Sequence, residues 1–239
     1  MIATLINCAT VLAGSLIGFL FNRRINDRFK ETIYTGMGVF TLMIGLMMAL
    51  ETTRILFVGI SVVAGGLLGS WWKVEAGILK IGTRLQSRFG GNNGGSTTFA
   101  LGFLNASVLF CVGAMTIVGS FRAGAEGNYD LILTKSVMDG FMAILLTAAM
   151  GFGVAFSVIT ILIYQGGLTL LAGLIAPHIS DLVLSELSGT GGVLVMMIGL
   201  NLLKLKEIKT GDFLPALGLI LVFTLLEPLV TGRFTGLFS

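Results

Sequence analysis

The sequence predicts an all-α, polytopic membrane protein of about eight transmembrane helices, in which helices 1–3 and 6–8 form an inverted-topology repeat. Three observations carry this expectation. Hydrophobic residues make up 55% of the 239 residues, charged residues only 11%, and the mean hydropathy is +0.97. A soluble domain has about 25% charged residues, so a water-soluble fold is excluded. Second, the chain divides into apolar runs near the roughly 20 residues that a helix needs to cross a bilayer. Third, Leu16–Leu46 aligns without a gap on Leu170–Leu200, with ten of 31 positions identical. In a chain of so few residue types, roughly three matches are expected by chance.

The runs span residues 2–21, 33–50, 55–72, 99–121, 131–150, 154–176, 187–203 and 213–231. Residues 136–176 are apolar almost throughout, and one helix of that length would reach about 60 Å, twice the hydrocarbon thickness. The chain must therefore fold back, and Gly151-Phe152-Gly153 is the place. The first run lacks the basic start of a signal peptide, and Arg23 and Arg24 follow it, so it is read as a retained span entering from outside. Between the third and fourth runs, Val74, Ile78, Ile81, Leu85 and Phe89 recur at helical spacing among Lys73, Lys80, Arg84 and Arg88. That pattern predicts a short amphipathic helix on the inner membrane surface, followed by the linker Gly90-Gly91-Asn92-Asn93-Gly94-Gly95. The resulting organisation is a first repeat over 1–72, a cytoplasmic segment over 73–98, two central helices over 99–150 and a second repeat over 154–239.

Basic residues orient the chain. With the first helix entering from outside, eleven lysines and arginines fall on the inner side, in loops around Arg23, Lys73 and Lys204, against four (Arg54, Arg122, Lys135, Arg233) toward the outer side. Both termini then lie outside. The repeat offset pairs helix one with six, two with seven and three with eight, and five crossings between equivalent points reverse the direction. Such repeats are the usual signature of transporters, with the solute site near the midplane where they meet. Similar glycine-rich composition in two hairpins is the competing explanation.

Glycine is frequent, at 34 residues, and Gly14/Gly18 and Gly65/Gly69 have the four-residue spacing that lets helices pack closely in lipid. Adjacent glycines such as Gly166-Gly167 can permit an unwound stretch whose backbone faces a solute. Intramembrane polar residues need partners or a wet cavity. Asp139 and Gln165 both fall near mid-membrane depth, and Lys135 lies one helical turn before Asp139 on the same face. They form either a neutralising salt bridge or part of a binding site. Glu227 precedes Pro228, which frees the carbonyl of Thr224; the pair is a cation site or a helix end near the surface. Asn7, Asn105 and Asn201 need hydrogen-bond partners on another helix or on a solute. Cys8 and Cys111 have no ligand-spaced partner and read as packing residues, and no metal or cofactor is expected. His178 reads as a loop residue that could sense pH. Gly189-Thr190-Gly191-Gly192 reads as the opening of a helix, with a weak anion-binding signal.

Residues Leu109 to Ser120, the run Lys135-Ser136-Val137-Met138-Asp139-Gly140-Phe141, the run Tyr164 to Gly173, and Asp212-Phe213-Leu214-Pro215-Ala216 after Asn201-Leu202-Leu203 resemble the hallmark stretches of the bacterial "domain of unknown function 554" membrane proteins. The resemblance covers nearly the whole chain. It implies a multi-pass protein of the bacterial cytoplasmic membrane and supplies no substrate.

Together the residues favour a secondary transporter of a small solute coupled to protons or a cation. The expected site comprises Lys135, Asp139, Gln165, Gly166, Gly167, Glu227 and Asn105. The alternatives are a homo-oligomeric channel or a non-transporting scaffold. No acid, base and nucleophile set is visible, so no enzyme is expected. The lipid bilayer is the expected partner, nucleic acid is not, and glycine-rich faces make a homodimer an option.

Overall fold

The structure, a computed structural model, describes residues 1–22, 27–89, 96–111, 114–175 and 180–235, and within them the ordered elements are all helical. The α-helices are α1 (Ile2–Asn22), α2 (Asp27–Ala49), α3 (Ile55–Trp72), α4 (Val74–Phe89), α5 (Ser96–Cys111), α6 (Ala114–Phe121), α7 (Asp130–Met150), α8 (Ser157–Ile175), α9 (Asp181–Leu202) and α10 (Pro215–Thr235). Among the described residues six stretches are long and apolar enough to cross a bilayer: Ile2–Phe21, Glu31–Ala49, Ile55–Trp72, Asp130–Met150, Phe152–Leu174 and Asp181–Leu202.

Two of the expected runs take a different form. The fourth is not one straight helix, because Thr98–Cys111 and Met115–Glu126 meet at 58°. The eighth is shorter among the described residues, its apolar part covering Thr210–Leu226. Helix α9 starts at Asp181, earlier than hydropathy alone places it, because Ser180 caps it by accepting the Val183 N–H at 3.3 Å. Gly189-Thr190-Gly191-Gly192 therefore lies inside a helix and opens none. Helix α8 is likewise continuous through Gly166-Gly167, so no unwound stretch forms there.

The fold-back falls where the glycines place it. Helix α7 ends at Met150, and Gly151 takes φ +83°, a conformation that disfavours any side chain, while its N–H returns to the Thr147 carbonyl at 2.9 Å. A 3-10 turn over Phe152–Phe156 then leads into α8. Phe152 packs edge-on to Phe156 at 5.9 Å and against Phe19 of α1 at 5.2 Å, which fixes the corner to its neighbours.

Glycines set the helix contacts. A methyl group on Gly14 or Gly18 would overlap the carbonyl oxygen of Gly140 or Ile144, so α1 and α7 touch backbone to backbone. Contact numbers rise together on both helices, hence α1 and α7 run parallel. On α2, Gly38 meets Leu203 and Gly45 meets Met196 and the Gly192 carbonyl. On α9, Gly192 meets Ala49 and the Gly45 carbonyl, and Gly199 meets Leu42 and the Gly38 carbonyl. Here one number rises as the other falls, and the pair is antiparallel. In the same way Gly65 meets Ala216 and Gly69 meets Asp212, which sets α3 antiparallel to the start of α10.

The largest buried cluster lies between these pairs and includes Val11, Phe110, Leu146, Ile161, Leu194 and Ile198, with Cys8 and Cys111 packed in the same core. Large apolar side chains also face outward, among them Leu16, Leu20, Leu56, Val63, Leu67 and Leu170. Helices that are apolar on both faces belong in lipid. The amphipathic segment forms as α4, but its inward side is Glu75 and Gly82, both buried, with Ile78 half-buried, whereas Ile81 is exposed. Glu75 and Asp212 tie α4 to the turn before α10. The Glu75 N–H donates to Asp212 Oδ1 and the Gly211 N–H donates to Glu75 Oε2, both at 2.9 Å.

Two outcomes follow from this packing. Gly14→Ala should lower the thermal stability of the purified protein by about 1–3 kcal/mol through overpacking, whereas Gly36→Ala, with nothing within 4 Å, should be neutral or slightly stabilising. Burial pushes the Glu75 carboxyl above its ordinary value; the Gly211 N–H opposes this, Asp212 adds to it and Lys209 opposes it. A raised folded value means that stability is fullest below the unfolded value of 4.5 and declines as pH rises through the folded one. Glu75→Gln keeps an acceptor for Gly211 and should flatten that decline in unfolding curves measured from pH 4.5 upward.

Candidate functional site

One group of buried polar residues meets between α1, α7 and α8. On α7, Lys135 and Asp139 are one turn apart and form an ion pair through Asp139 Oδ2, with only 6% and 7% of each residue exposed. Counting from Asp130 at 1.5 Å per residue, Asp139 lies roughly 13 Å along the helix. A charge at this depth is expensive, and half of a pair left alone would be far more so.

Helix α1 supplies the link. Asn7 is fully buried, and its Nδ2 donates to Asp139 Oδ2 at 3.0 Å and to Gln165 Oε1 of α8 at 2.9 Å. Gln165 is also fully buried; its Nε2 donates to Thr4 Oγ1 at 3.3 Å, and the Thr4 and Thr169 hydroxyls lie 3.4 Å apart. Thr169 in turn donates to the Gln165 carbonyl at 2.8 Å. The result is a continuous polar chain from Lys135 through Asp139, Asn7 and Gln165 to Thr4 and Thr169. Asn7 Oδ1 has no hydrogen-bond partner among the described residues. A buried acceptor without a partner is uncommon and marks a place where a further donor fits.

The bend between α5 and α6 lies beside this chain. Leu109 and Phe110 at the end of α5, and Met115 and Thr116 at the start of α6, line a cavity of about 410 Å³ together with Lys135 and Asp139. The Thr116 hydroxyl donates to the Phe110 carbonyl at 3.2 Å, so it serves a carbonyl next to the bend.

The structure thus brings together Lys135, Asp139 and Gln165, and joins them to Asn7, whose need for a partner the sequence flags. It does not join Asn105 to them. Asn105 on α5 donates to Met150 Sδ at 3.7 Å, at the far end of α7, about 16 Å along that helix from Asp139. A side chain on Gly166 would meet Met1 and Thr4, one on Gly167 would meet nothing within 4 Å, and both glycines lie within the continuous helix α8. Of Glu227 only the backbone, within α10, is described, and His178 lies outside the described residues. Asn201 bonds its own following loop, to the Ile208 carbonyl at 2.8 Å and to Thr210 at 3.2 Å.

Thr4 and Thr169 belong to the chain without a sequence signal, since a hydroxyl in an apolar helix is satisfied as readily by its own backbone. Glu186 is a further fully buried carboxylate outside the expectations. It accepts the Thr53 and Arg54 N–H groups at 2.8 and 3.0 Å and the hydroxyls of Thr52 and Thr53, which caps the entry to α3. Its acceptor capacity is spent on the fold.

The profile of the family described as "Protein of unknown function (DUF554)" matches residues 2–225. The chain is 31% identical over 222 residues to "Uncharacterized membrane protein YdfK" of Bacillus subtilis (strain 168), covering 91% of this chain and 93% of that one. It is 26% identical over 219 residues to "Uncharacterized protein YqgA" of Escherichia coli (strain K12), with 91% and 93% covered. No solved structure matches it.

The ion pair makes a testable demand. Lys135→Met should destabilise the protein by about 3–5 kcal/mol by leaving Asp139 buried and uncompensated. Adding Asp139→Asn should recover most of that loss, because both charges are then gone. Thermal unfolding of the two single variants and the double variant measures the cycle.

Proposed function

We propose that this chain, which belongs to the DUF554 family of proteins of unknown function, is a secondary transporter of a small solute coupled to protons or a cation. The observation that carries this reading is the buried Lys135–Asp139 pair, bonded through Asn7 to Gln165 across three helices and bordered by a bent helix. Intramembrane ionisable groups at discontinuous helices are where carriers hold solutes and coupling ions. In this reading Asp139 carries the proton or cation, Lys135 balances charge, and Asn7 with Gln165 positions Asp139 from the neighbouring helices.

Helix directions support eight crossings and an inverted repeat. If α5 and α6 together count as one crossing, α1 and α7 must be parallel, while α2 and α9, and α3 and α10, must be antiparallel. The glycine contacts have those senses. The α2/α9 contacts also exchange under the repeat offset. Gly38 against Gly199 becomes Gly192 against Gly45, and Gly38 against Leu203 becomes Gly192 against Ala49. A contact that maps onto itself when its partners are swapped is the mark of an isologous, two-fold interface. For two antiparallel spanning helices such an axis lies in the bilayer plane. With the basic loops placed inside, the protein sits in the bacterial cytoplasmic membrane with its first helix entering from outside.

Proteoliposomes containing the purified protein and an internal pH-sensitive dye provide the test. A panel of small carboxylates, amines and amino acids should include a solute whose saturable entry moves protons. Asp139→Asn should reduce that flux by at least about tenfold, and Gln165→Ala should raise the half-saturating concentration. Unchanged flux in both variants would remove the site, and non-saturating single-channel currents in a planar bilayer would replace the carrier with a pore.

A further inference from the structure

The cavity beside Lys135 and Asp139 has a chemistry that names a class of solute. Its volume of about 410 Å³ falls within the range of small-molecule sites. At about 30 Å³ per non-hydrogen atom, it holds about a dozen such atoms. Six methionines line it: Met43, Met47, Met48, Met115, Met138 and Met142. Flexible thioethers suit an apolar body of variable shape. The polar groups are few, so a ligand must be apolar over most of its length and polar at one place.

At the polar end, the ammonium of Lys135 is under-bonded. Lys135 offers three N–H donors, and Asp139 is its one hydrogen-bond partner among the described residues. Asp139 Oδ2 is held from the opposite helix by Asn7. Ser188, almost fully buried on α9, lines the same cavity, and its Oγ has no partner among the described residues. Spare ammonium donors and a spare hydroxyl match a carboxylate. A metal cation drawn to the thioethers would meet the charge of Lys135.

We propose that this cavity binds a monocarboxylate with an apolar chain, its carboxylate on Lys135 and Ser188 and its chain among the methionines. The proposal rests on the reading of the Lys135–Asp139 pair as the solute site. The acid arrives as R–COOH; its O–H bond breaks, the proton forms a new O–H bond on the Asp139 carboxylate, and R–COO⁻ takes the place of Asp139 on Lys135. The sum of charges is zero before and after, so the apolar surroundings never hold an unpaired ion. Among the described residues Cys111 on α5 is a further titratable group near the pair, with Cys8 of α1 and Tyr164 of α8 next to Cys111; Glu51, exposed just after α2, also lines the cavity. The Glu51 carboxylate favours entry of the neutral acid over its anion.

Radiolabelled octanoate, which is of the required size, can be tested on the protein in phosphatidylcholine nanodiscs by scintillation proximity. Binding above lipid partition should saturate and be displaced by unlabelled octanoate, with octylamine and octanol at least about tenfold weaker. Lys135→Arg should keep binding within about threefold. The double variant Lys135→Met/Asp139→Asn, which buries no charge, should lose at least about tenfold, and Met138→Trp should lose a similar amount by filling the cavity. Equal displacement by octylamine or octanol, an unaffected double variant, or saturable Ag⁺ binding without saturable octanoate binding would overturn the proposal. Saturable octanoate binding without proton-linked flux would keep this site and remove the carrier. Proton-linked flux of another solute, lost in Asp139→Asn, with no octanoate binding, would keep the carrier and remove this solute class.

Discussion

Backbone contact between α1 and α7 is the constraint on which the interior depends. Asn7 reaches Asp139 because Gly14 and Gly18, further along α1, present no side chain to the carbonyls of Gly140 and Ile144. Lipid offers helices no hydrophobic reason to associate, so close approach must come from small residues and from polar groups that find each other. Both operate along this one seam. The glycines bring the axes together, and the asparagine uses the proximity to share the burden of a buried carboxylate.

The contact between α2 and α9 follows the same principle with a different sense. Four glycines at matching positions of the two aligned segments, Leu16–Leu46 and Leu170–Leu200, meet across one antiparallel interface. This accounts for the identity of Gly38 with Gly192 and of Gly45 with Gly199, since each must vacate the space that its counterpart's helix fills. The matching residues around them, Met43 with Met197 and Ile44 with Ile198, then lie along equivalent turns.

Features fixed by local spacing were legible in the amino-acid sequence. The fold-back at Gly151-Phe152-Gly153 follows from helix length against bilayer thickness, and the Lys135–Asp139 pair follows from a four-residue separation on one helix. The Gly14/Gly18 seam is equally local. Features that join distant segments were not. Asn7 and Gln165 are 158 positions apart, and no periodicity says which of several buried amides will meet. Asn105 has the same composition around it and ends beside Met150 instead. The bend between α5 and α6 escaped hydropathy because apolarity continues across it, and α9 began early because a serine cap does not register as hydrophobic.

One amide group has a mechanical meaning. The Nδ2 of Asn7 holds Asp139 on one neighbouring helix and Gln165 on another. Any displacement of α1 relative to α7 and α8 is felt by both bonds, because they share one donor nitrogen. The first helix therefore ties the carboxylate of one neighbour to the glutamine of the other through a single side chain.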